Sequence, residues 1–103
     1  MYRERIHMTV RDTDGWNETV DAVAEINKIC TRIGNPTGQV WTETVGVFNH
    51  LVVEIDHESL ASFETATKTL RSDPEMHKQI LRITAASVEG KGYTELLELA
   101  TPV

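Results

Sequence analysis

The sequence predicts an α+β domain in which helices cover one face of a four-stranded antiparallel sheet. Three observations predict it. Apolar and polar residues alternate in the first and last segments, as in half-buried strands, and apolar residues recur at helical spacing in the long segments between them. The segments follow in the order strand, helix, two strands, helix, strand, and they take up nearly all of the 103 residues. This order is the ferredoxin-like βαββαβ pattern, and we expect residues 1–103 to form one domain.

The first strand and the first helix have clear limits. Residues 2–10 alternate between apolar and polar side chains, which predicts a strand. A helix follows that is capped by Asp14 or a neighbour in Asp12-Thr13-Asp14, and Gly34-Asn35-Pro36 ends it. We expect Cys30, the one cysteine of the chain, to be a packed apolar side chain rather than a reactive thiol. The apolar stripe of this helix consists of Trp16, Val20, Val23, Ile26, Cys30 and Ile33.

The rest of the chain predicts two strands, a broken helix and a final strand. Residues 40–55 have strand-like composition, and helical spacing follows over residues 60–70. Ser72-Asp73-Pro74 interrupts this spacing, because the Asp can cap a new helix and the Pro suits its first position. We therefore expect a separate helix over residues 74–88 and a last strand over residues 93–100.

Composition and charge exclude several classes of function. Apolar residues make up 40% of the chain and charged residues 25%, which is ordinary for a globular protein. Ten Lys and Arg oppose 16 Asp and Glu, so the formal net charge is −6, and this disfavours the phosphate contacts that nucleic-acid binding needs. The longest apolar run, Leu51-Val52-Val53, is far shorter than the roughly 20 residues of a membrane span. The first residues do not read as a signal peptide, so we expect a cytoplasmic protein that binds neither nucleic acid nor membrane.

Motifs for a metal or a phosphate group are missing as well. The four histidines lack metal-ligand spacing on a helix, and Asp56-His57-Glu58 are neighbours in a loop, where three adjacent side chains do not converge on one ion. Gly90-Lys91-Gly92 precedes a strand, so it is typical of a turn rather than of a phosphate-binding loop. We therefore expect no metal and no cofactor.

The strands decide which residues could form a site, because alternate side chains point to opposite faces of a sheet. With the first strand in the middle of the sheet, Arg3 and Arg5 would have Glu54 on one side and Glu98 on the other, and these opposite charges could pair. The face that receives the helices is expected to carry Ile6, Met8, Val10, Leu51, Val53, Ile55, Leu97 and Leu99. The polar face is expected to carry Arg3, Arg5, His7, Thr9, His50, Val52, Glu54, Leu96 and Glu98, joined by Thr42 and Thr44.

Two outcomes are open for the polar face. In a monomer it is a wet surface, and its charges serve solubility alone. In a dimer whose sheets pack face to face, it becomes the interior of a closed barrel, where unpaired charge is costly. Arg, His and Glu side chains in such an interior indicate a polar cavity, although ion pairs that satisfy one another would fill it equally well.

A polar cavity would place candidate catalytic residues next to ligand-binding ones. His7 or His50 would act as the acid or base, because an unperturbed imidazole titrates near neutral pH. Arg5 would hold a developing oxyanion. The residues expected to bind the ligand are Arg3, Arg5, Glu54 and Glu98.

Two aromatic residues complete the candidate site. Trp41 and Tyr93 are each predicted near the start of an edge strand. They would stack on a planar ligand at the mouth of the barrel, or they would pack against a second subunit, as aromatic side chains at interfaces do.

Three segments in the second half of the chain carry a recognisable pattern. They are Gly46-Val47-Phe48-Asn49-His50-Leu51-Val52-Val53-Glu54, Ser59-Leu60-Ala61-Ser62-Phe63-Glu64 and Leu70-Arg71-Ser72-Asp73-Pro74-Glu75. The pattern resembles the NIPSNAP family, in which a Gly and Asn turn joins the second and third strands and an Asp-Pro-Glu break divides the last helix. The first strand with Arg5 is similar to the family's opening strand, so the resemblance spans nearly the whole chain. Met76 departs from it, since the family commonly has Trp at this position.

The resemblance implies a homodimeric α/β barrel, related in architecture to small monooxygenases, haem-degrading enzymes, lactone isomerases and polyketide cyclases. Those relatives use the barrel interior or its mouth as a ligand site. Three functions are then open for this chain: a cofactor-independent enzyme of monooxygenase, isomerase or cyclase type that acts on a small oxygenated or aromatic substrate, a protein that binds such a ligand without turnover, and a non-enzymatic interaction or structural protein. Only the first two predict that a small molecule stabilises the folded state.

Overall fold

Four antiparallel strands form one sheet in the computed structural model, which describes residues 1–101. The strands are β1 (Tyr2–Thr9), β2 (Gln39–Thr42), β3 (His50–His57) and β4 (Tyr93–Glu98), and their order across the sheet is β2-β3-β1-β4. The first strand therefore lies between the third and the fourth. Together with three helices, this arrangement confirms the predicted ferredoxin-like α+β fold.

The first helix, α1 (Thr13–Ile33), has the predicted start and end. Its N-cap is Asp12, whose side chain accepts a hydrogen bond from the backbone N–H of Gly15 at 2.7 Å. Gly34 ends the helix in the left-handed conformation (φ 81°), and its N–H donates to the carbonyl of Cys30. Cys30 is 4% exposed, as predicted for a packed side chain, and burial raises the pKa of its thiol.

The predicted break divides the second helical stretch into α2 (Leu60–Arg71) and α3 (Pro74–Ala86). Ser59 caps α2 and forms a reciprocal capping box with Ser62. Asp73 caps α3 by accepting from the N–H of Glu75, and Pro74 takes the first position of the helix. Within residues 1–101 no helix combines the length and the apolar character needed to span a bilayer.

The hydrophobic core lies between the sheet and the helices. Trp16 and Val20 of α1 and Ile83 of α3 pack against it. The other face of the sheet has no helix on it, and we call it the open face. The buried residues of the core are Met8, Val10, Val23, Leu51 and Val53.

The register of β4 differs from the prediction by one residue. Leu97 lies opposite Arg3, and Glu98 lies opposite Tyr2, so Leu97 belongs to the open face and Glu98 to the helix side. The two adjacent leucines allow either alternation, and the structure adopts the one that brings Glu95 opposite Arg5. The predicted faces of Leu96, Leu97 and Glu98 are therefore wrong.

The second strand also corrects the prediction. Thr42 lies opposite Leu51 on the helix side, and Thr44 lies beyond the end of β2. Both were expected on the polar face. Val40 packs against the core, and this fixes the alternation of the strand so that Trp41, not Thr42, reaches the open face.

Candidate functional site

The arginines of the open face are engaged with carboxylates of the neighbouring strand β3. Arg5 Nε donates to Glu54 Oε2 at 2.6 Å, which is the pairing that the sequence predicts. Arg3 donates to both carboxylate oxygens of Asp56, at 2.8 and 3.2 Å, and this bond lowers the pKa of Asp56 below its usual value. The open face therefore carries its two guanidinium groups already neutralised.

The two predicted catalytic histidines lie side by side in the middle of a chain of hydrogen bonds. His7 Nδ1 and His50 Nε2 are 3.0 Å apart. The outer nitrogen of His50 contacts Glu43 Oε1 at 2.5 Å, and that of His7 contacts Glu95. The order of the chain is Glu43–His50–His7–Glu95, and both imidazoles are largely buried (14% and 11% exposed).

The number of N–H groups limits how many protons the hydrogen-bonded chain Glu43–His50–His7–Glu95 can hold. Its three contacts need one N–H each, whereas two neutral imidazoles supply two N–H groups in total. The chain is complete when one ring carries a second proton. A further proton would place two N–H groups against each other between the rings. The arrangement therefore fits a single imidazolium between two carboxylates.

The aromatic residues predicted for this site lie at its two sides. Tyr93 stacks on His7, with ring centroids 4.1 Å apart and an interplanar angle of 9°. Trp41 forms one wall of a shallow depression of about 300 Å³ with Arg5, His7 and others. Both aromatic side chains are more than half exposed. The structure thus places every predicted site residue on the open face except Glu98, which lies on the opposite side of the sheet.

A larger cavity, which sequence reasoning missed, lies on the helix side of the sheet. It measures about 570 Å³, is lined mainly by residues of β1, β3 and the three helices, and is partly open to solvent. We call it the inner cavity. Its exposed lining residues, among them Arg71, His77, Ile80 and Thr94, lie on its open side. Its lining is mostly apolar and includes Ile6, Val23, Val53, Ile55, Ala66 and Ile83.

Two ionisable residues stand in the wall of the inner cavity. His57 Nε2 lies 3.1 Å from Glu4 Oε1, and the two side chains are 4% and 16% exposed. A carboxylate can only accept, so His57 donates through Nε2. Within residues 1–101 no hydrogen bond to the second oxygen of Glu4 accompanies this one. The wall therefore presents a carboxylate that is held on one side and free on the other.

The alternation that predicts the two faces also contains the signal for this pair. Residues with the parity of Ile6 and Met8 point to the helices, and Glu4 has that parity; in β3, His57 shares the parity of Val53. A carboxylate and an imidazole at core-facing positions break the apolar pattern. Buried polar groups of this kind cost stability unless they are paired, so their placement is the feature that marks a site.

Comparisons with known proteins agree with this fold. No protein-family model matches the chain, and no curated protein matches it. The chain is similar in structure to an uncharacterised NIPSNAP domain protein from Burkholderia xenovorans, with 18% identity, 97% and 95% of the two chains covered and a TM-score of 0.77. A NIPSNAP family protein from Agrobacterium tumefaciens gives 16% identity, 94% and 90% coverage and a TM-score of 0.73.

A protein from Deinococcus radiodurans, named as an antibiotic biosynthesis monooxygenase, is similar over 100% of this chain and 96% of its own, with 8% identity and a TM-score of 0.72. At identities this low the likeness establishes the fold. The resemblance to the NIPSNAP family that the sequence motifs predict is thus confirmed at the level of the fold, which is shared by NIPSNAP proteins and by proteins of the monooxygenase group.

Proposed function

We propose that this chain is a small-molecule-binding protein of the NIPSNAP type, that it acts as a homodimer, and that its ligand occupies the inner cavity. The observation that carries the proposal is the cavity itself. Ligand sites in proteins are concave, mostly apolar and about 300 to 1,000 Å³ in volume, with a few polar groups that orient the ligand. The inner cavity, at about 570 Å³, has this size and this composition.

Features of the open face support the proposal of a homodimer. Its arginines are paired within the chain, so a partner sheet could cover them without leaving a charge unpaired. Trp41 and Tyr93 are 53% and 57% exposed at the two sides of the face, and aromatic side chains are enriched in interfaces. Beside them, the segment between β2 and β3 exposes Val47 and Phe48 (65% and 92%). These features match a face that a second copy covers.

A second candidate function is cofactor-independent catalysis at the open face. The hydrogen-bonded chain Glu43–His50–His7–Glu95 favours it, because two linked imidazoles between carboxylates can take up a proton at one end and release it at the other. Arg5 would stabilise negative charge on the substrate only by sharing its bond to Glu54. If the wild type turns over a substrate and His7→Gln does not, the protein is an enzyme rather than a protein that only binds the ligand.

The cavity proposal is tested by filling the cavity. 4-Nitroanisole is a small, mostly apolar probe without a hydrogen-bond donor, and we expect calorimetry to detect its binding to the wild-type protein. Ala66→Leu adds three carbons at a buried lining position, which narrows the cavity, and should weaken that binding. Ala61→Leu, on the exposed side of the same helix, is the matched control and should bind as the wild type does. Equal binding by both variants, or none by the wild type, would contradict the proposal.

The dimer is tested separately by light scattering at micromolar concentration. The wild type should have twice the mass of the chain. Val52→Glu places an unpaired carboxylate in the centre of the open face, opposite His7, and should give a monomer because burying that charge is costly. Ala85→Glu adds the same charge at an exposed position of α3 and should remain a dimer. A monomeric wild type would overturn this part of the proposal.

A further inference from the structure

We infer that the free oxygen of Glu4 is the polar anchor of the inner cavity, and that it binds a neutral, mostly apolar molecule through an O–H donor, a phenol or enol being the simplest case. This inference rests on the proposed binding function and names the ligand class of the same cavity. Its basis is the Glu4–His57 pair, whose two residues occupy core-facing positions on the adjacent strands β1 and β3.

The hydrogen bonds of the pair define its role toward a ligand. His57 Nε2 donates to one oxygen of Glu4 at 3.1 Å, and the imidazole packs edge-on against Phe63 with ring centroids 5.1 Å apart. These contacts fix the imidazole, which in turn orients the carboxylate. Glu4 lines the cavity and keeps accessible surface there (16% exposed). His57 is thus a positioning residue, and Glu4 is the group that contacts the ligand.

The charges around the cavity restrict what can enter and remain. An anion would lie against the Glu4 carboxylate at the inner wall, where like charges repel and the apolar lining gives little screening. Arg71 also lines the cavity and is exposed, so its positive charge opposes the approach of a cation. A neutral molecule meets neither barrier. Its apolar body fills the space between Ile6, Val53 and Ile83, and its donor satisfies the carboxylate.

The free energy of the hydrogen bond to Glu4 follows from typical values for such bonds. Hydrogen bonds to a charged acceptor contribute about 1.5 to 3 kcal/mol, against about 0.5 to 1.5 kcal/mol for neutral ones. A methyl ether has no hydrogen to donate and forgoes the bond to the carboxylate entirely, and the lower end of the charged range corresponds to roughly tenfold in affinity. We therefore expect a ligand with an O–H to bind about tenfold more tightly than the same ligand with that hydrogen replaced by methyl.

The experiment compares 4-nitrophenol with 4-nitroanisole, which differ only in the O–H. In the wild-type protein, calorimetry should give the phenol about a tenfold advantage, and Glu4→Gln should remove most of it while leaving the affinity for nitroanisole unchanged. Glu89→Gln, an exposed carboxylate in the turn before β4, is the control and should behave as the wild type. At a pH where the probe is half ionised, its visible absorbance should shift toward the neutral phenol on binding, because only that form can donate.

The outcomes separate the two claims. If nitroanisole binds as tightly as nitrophenol in the wild type, or if the phenolate is the form that binds, Glu4 is not an anchor for a donor, and the cavity proposal stands without it. If neither probe binds, the cavity proposal itself fails. The comparison of the two probes on the wild type needs no variant, so the inference can be overturned even if Glu4→Gln does not fold.

Discussion

Replacing Glu4 and His57 by leucine, singly and together, gives a sharp prediction about the cost of the pair. Glu4→Leu removes the carboxylate that accepts the hydrogen bond from His57 Nε2. The His57 side chain is 4% exposed, so water cannot replace that acceptor. Leaving a buried donor unsatisfied costs about 1 to 3 kcal/mol. We expect Glu4→Leu to lower the free energy of unfolding by about 2 kcal/mol.

The double variant should behave differently from the sum of the single ones. Nδ1 of His57 is buried and has no hydrogen-bond partner among residues 1–101, so the imidazole already carries a cost of about 1 to 3 kcal/mol. Glu4→Leu together with His57→Leu removes both polar groups and puts apolar side chains beside Ile6 and Ile55. Buried ion pairs that are replaced by apolar residues commonly leave a protein equally or more stable. The double variant should therefore equal or exceed the wild type.

Urea denaturation followed by circular dichroism, at one fixed protein concentration, measures all four proteins. The concentration must be fixed because the proposed dimerisation would contribute to the apparent stability. Glu89→Leu is the control at an exposed site and should change the free energy of unfolding by less than about 0.5 kcal/mol. A Glu4→Leu variant as stable as the wild type would refute the reasoning, because His57 would then not depend on Glu4. A double variant less stable than Glu4→Leu would refute it equally.

Three further predictions concern the fold. Gly38→Ala should lower the free energy of unfolding by about 1 to 3 kcal/mol, because the new Cβ would lie 2.7 Å from a methyl group of Val53; urea denaturation that shows no change would mean that β2 can shift away. Arg32 donates to Asp73 at 2.6 Å and lowers its pKa below 3.8, so the ion pair stabilises the protein above that pH and is lost as the pH falls through the depressed value. Asp73→Asn keeps the helix cap, so it should be less stable than the wild type at pH 7 and equally stable in strong acid; equal stability at both pH values would contradict this. Cys30 lines the inner cavity but is buried and has a raised pKa, so it should react with a thiol reagent only under unfolding conditions. Fast labelling of the folded protein would show that the inner cavity exposes the thiol.

The helices could be predicted closely from the sequence because local chemistry sets their limits. The N-cap at Asp12, the left-handed Gly34 and the Asp73-Pro74 break depend on neighbouring residues alone. The last strand could not, because Leu96 and Leu97 permit either alternation, and only the contacts of β4 with β1 decide between them. Local pattern therefore fixed the elements, and tertiary pairing fixed their faces.

The site shows the same division. The pairing of Arg5 with Glu54 followed from the strand order. The partners of the two histidines could not be predicted from the strand order, because Glu43 lies beyond the end of β2 and the position of Glu95 depends on the register of β4. The inner cavity arises from the packing of three helices over the sheet, which no sequence pattern specifies. Its sequence signals, the carboxylate of Glu4 and the imidazole of His57 at core-facing positions, were readable from the alternation of β1 and β3.

Strand β1 carries residues of both candidate sites on alternate positions. Glu4 faces the inner cavity, while Arg3 and Arg5 pair on the open face. Many strands have one solvated side, on which side chains can be substituted with little effect. In β1 the loss or gain of one residue would exchange the two sides, placing guanidinium groups in the core and a carboxylate on the open face. Both faces of β1 therefore constrain its length. We expect sequence changes in β1 to be substitutions, and insertions or deletions to occur in other parts of the chain.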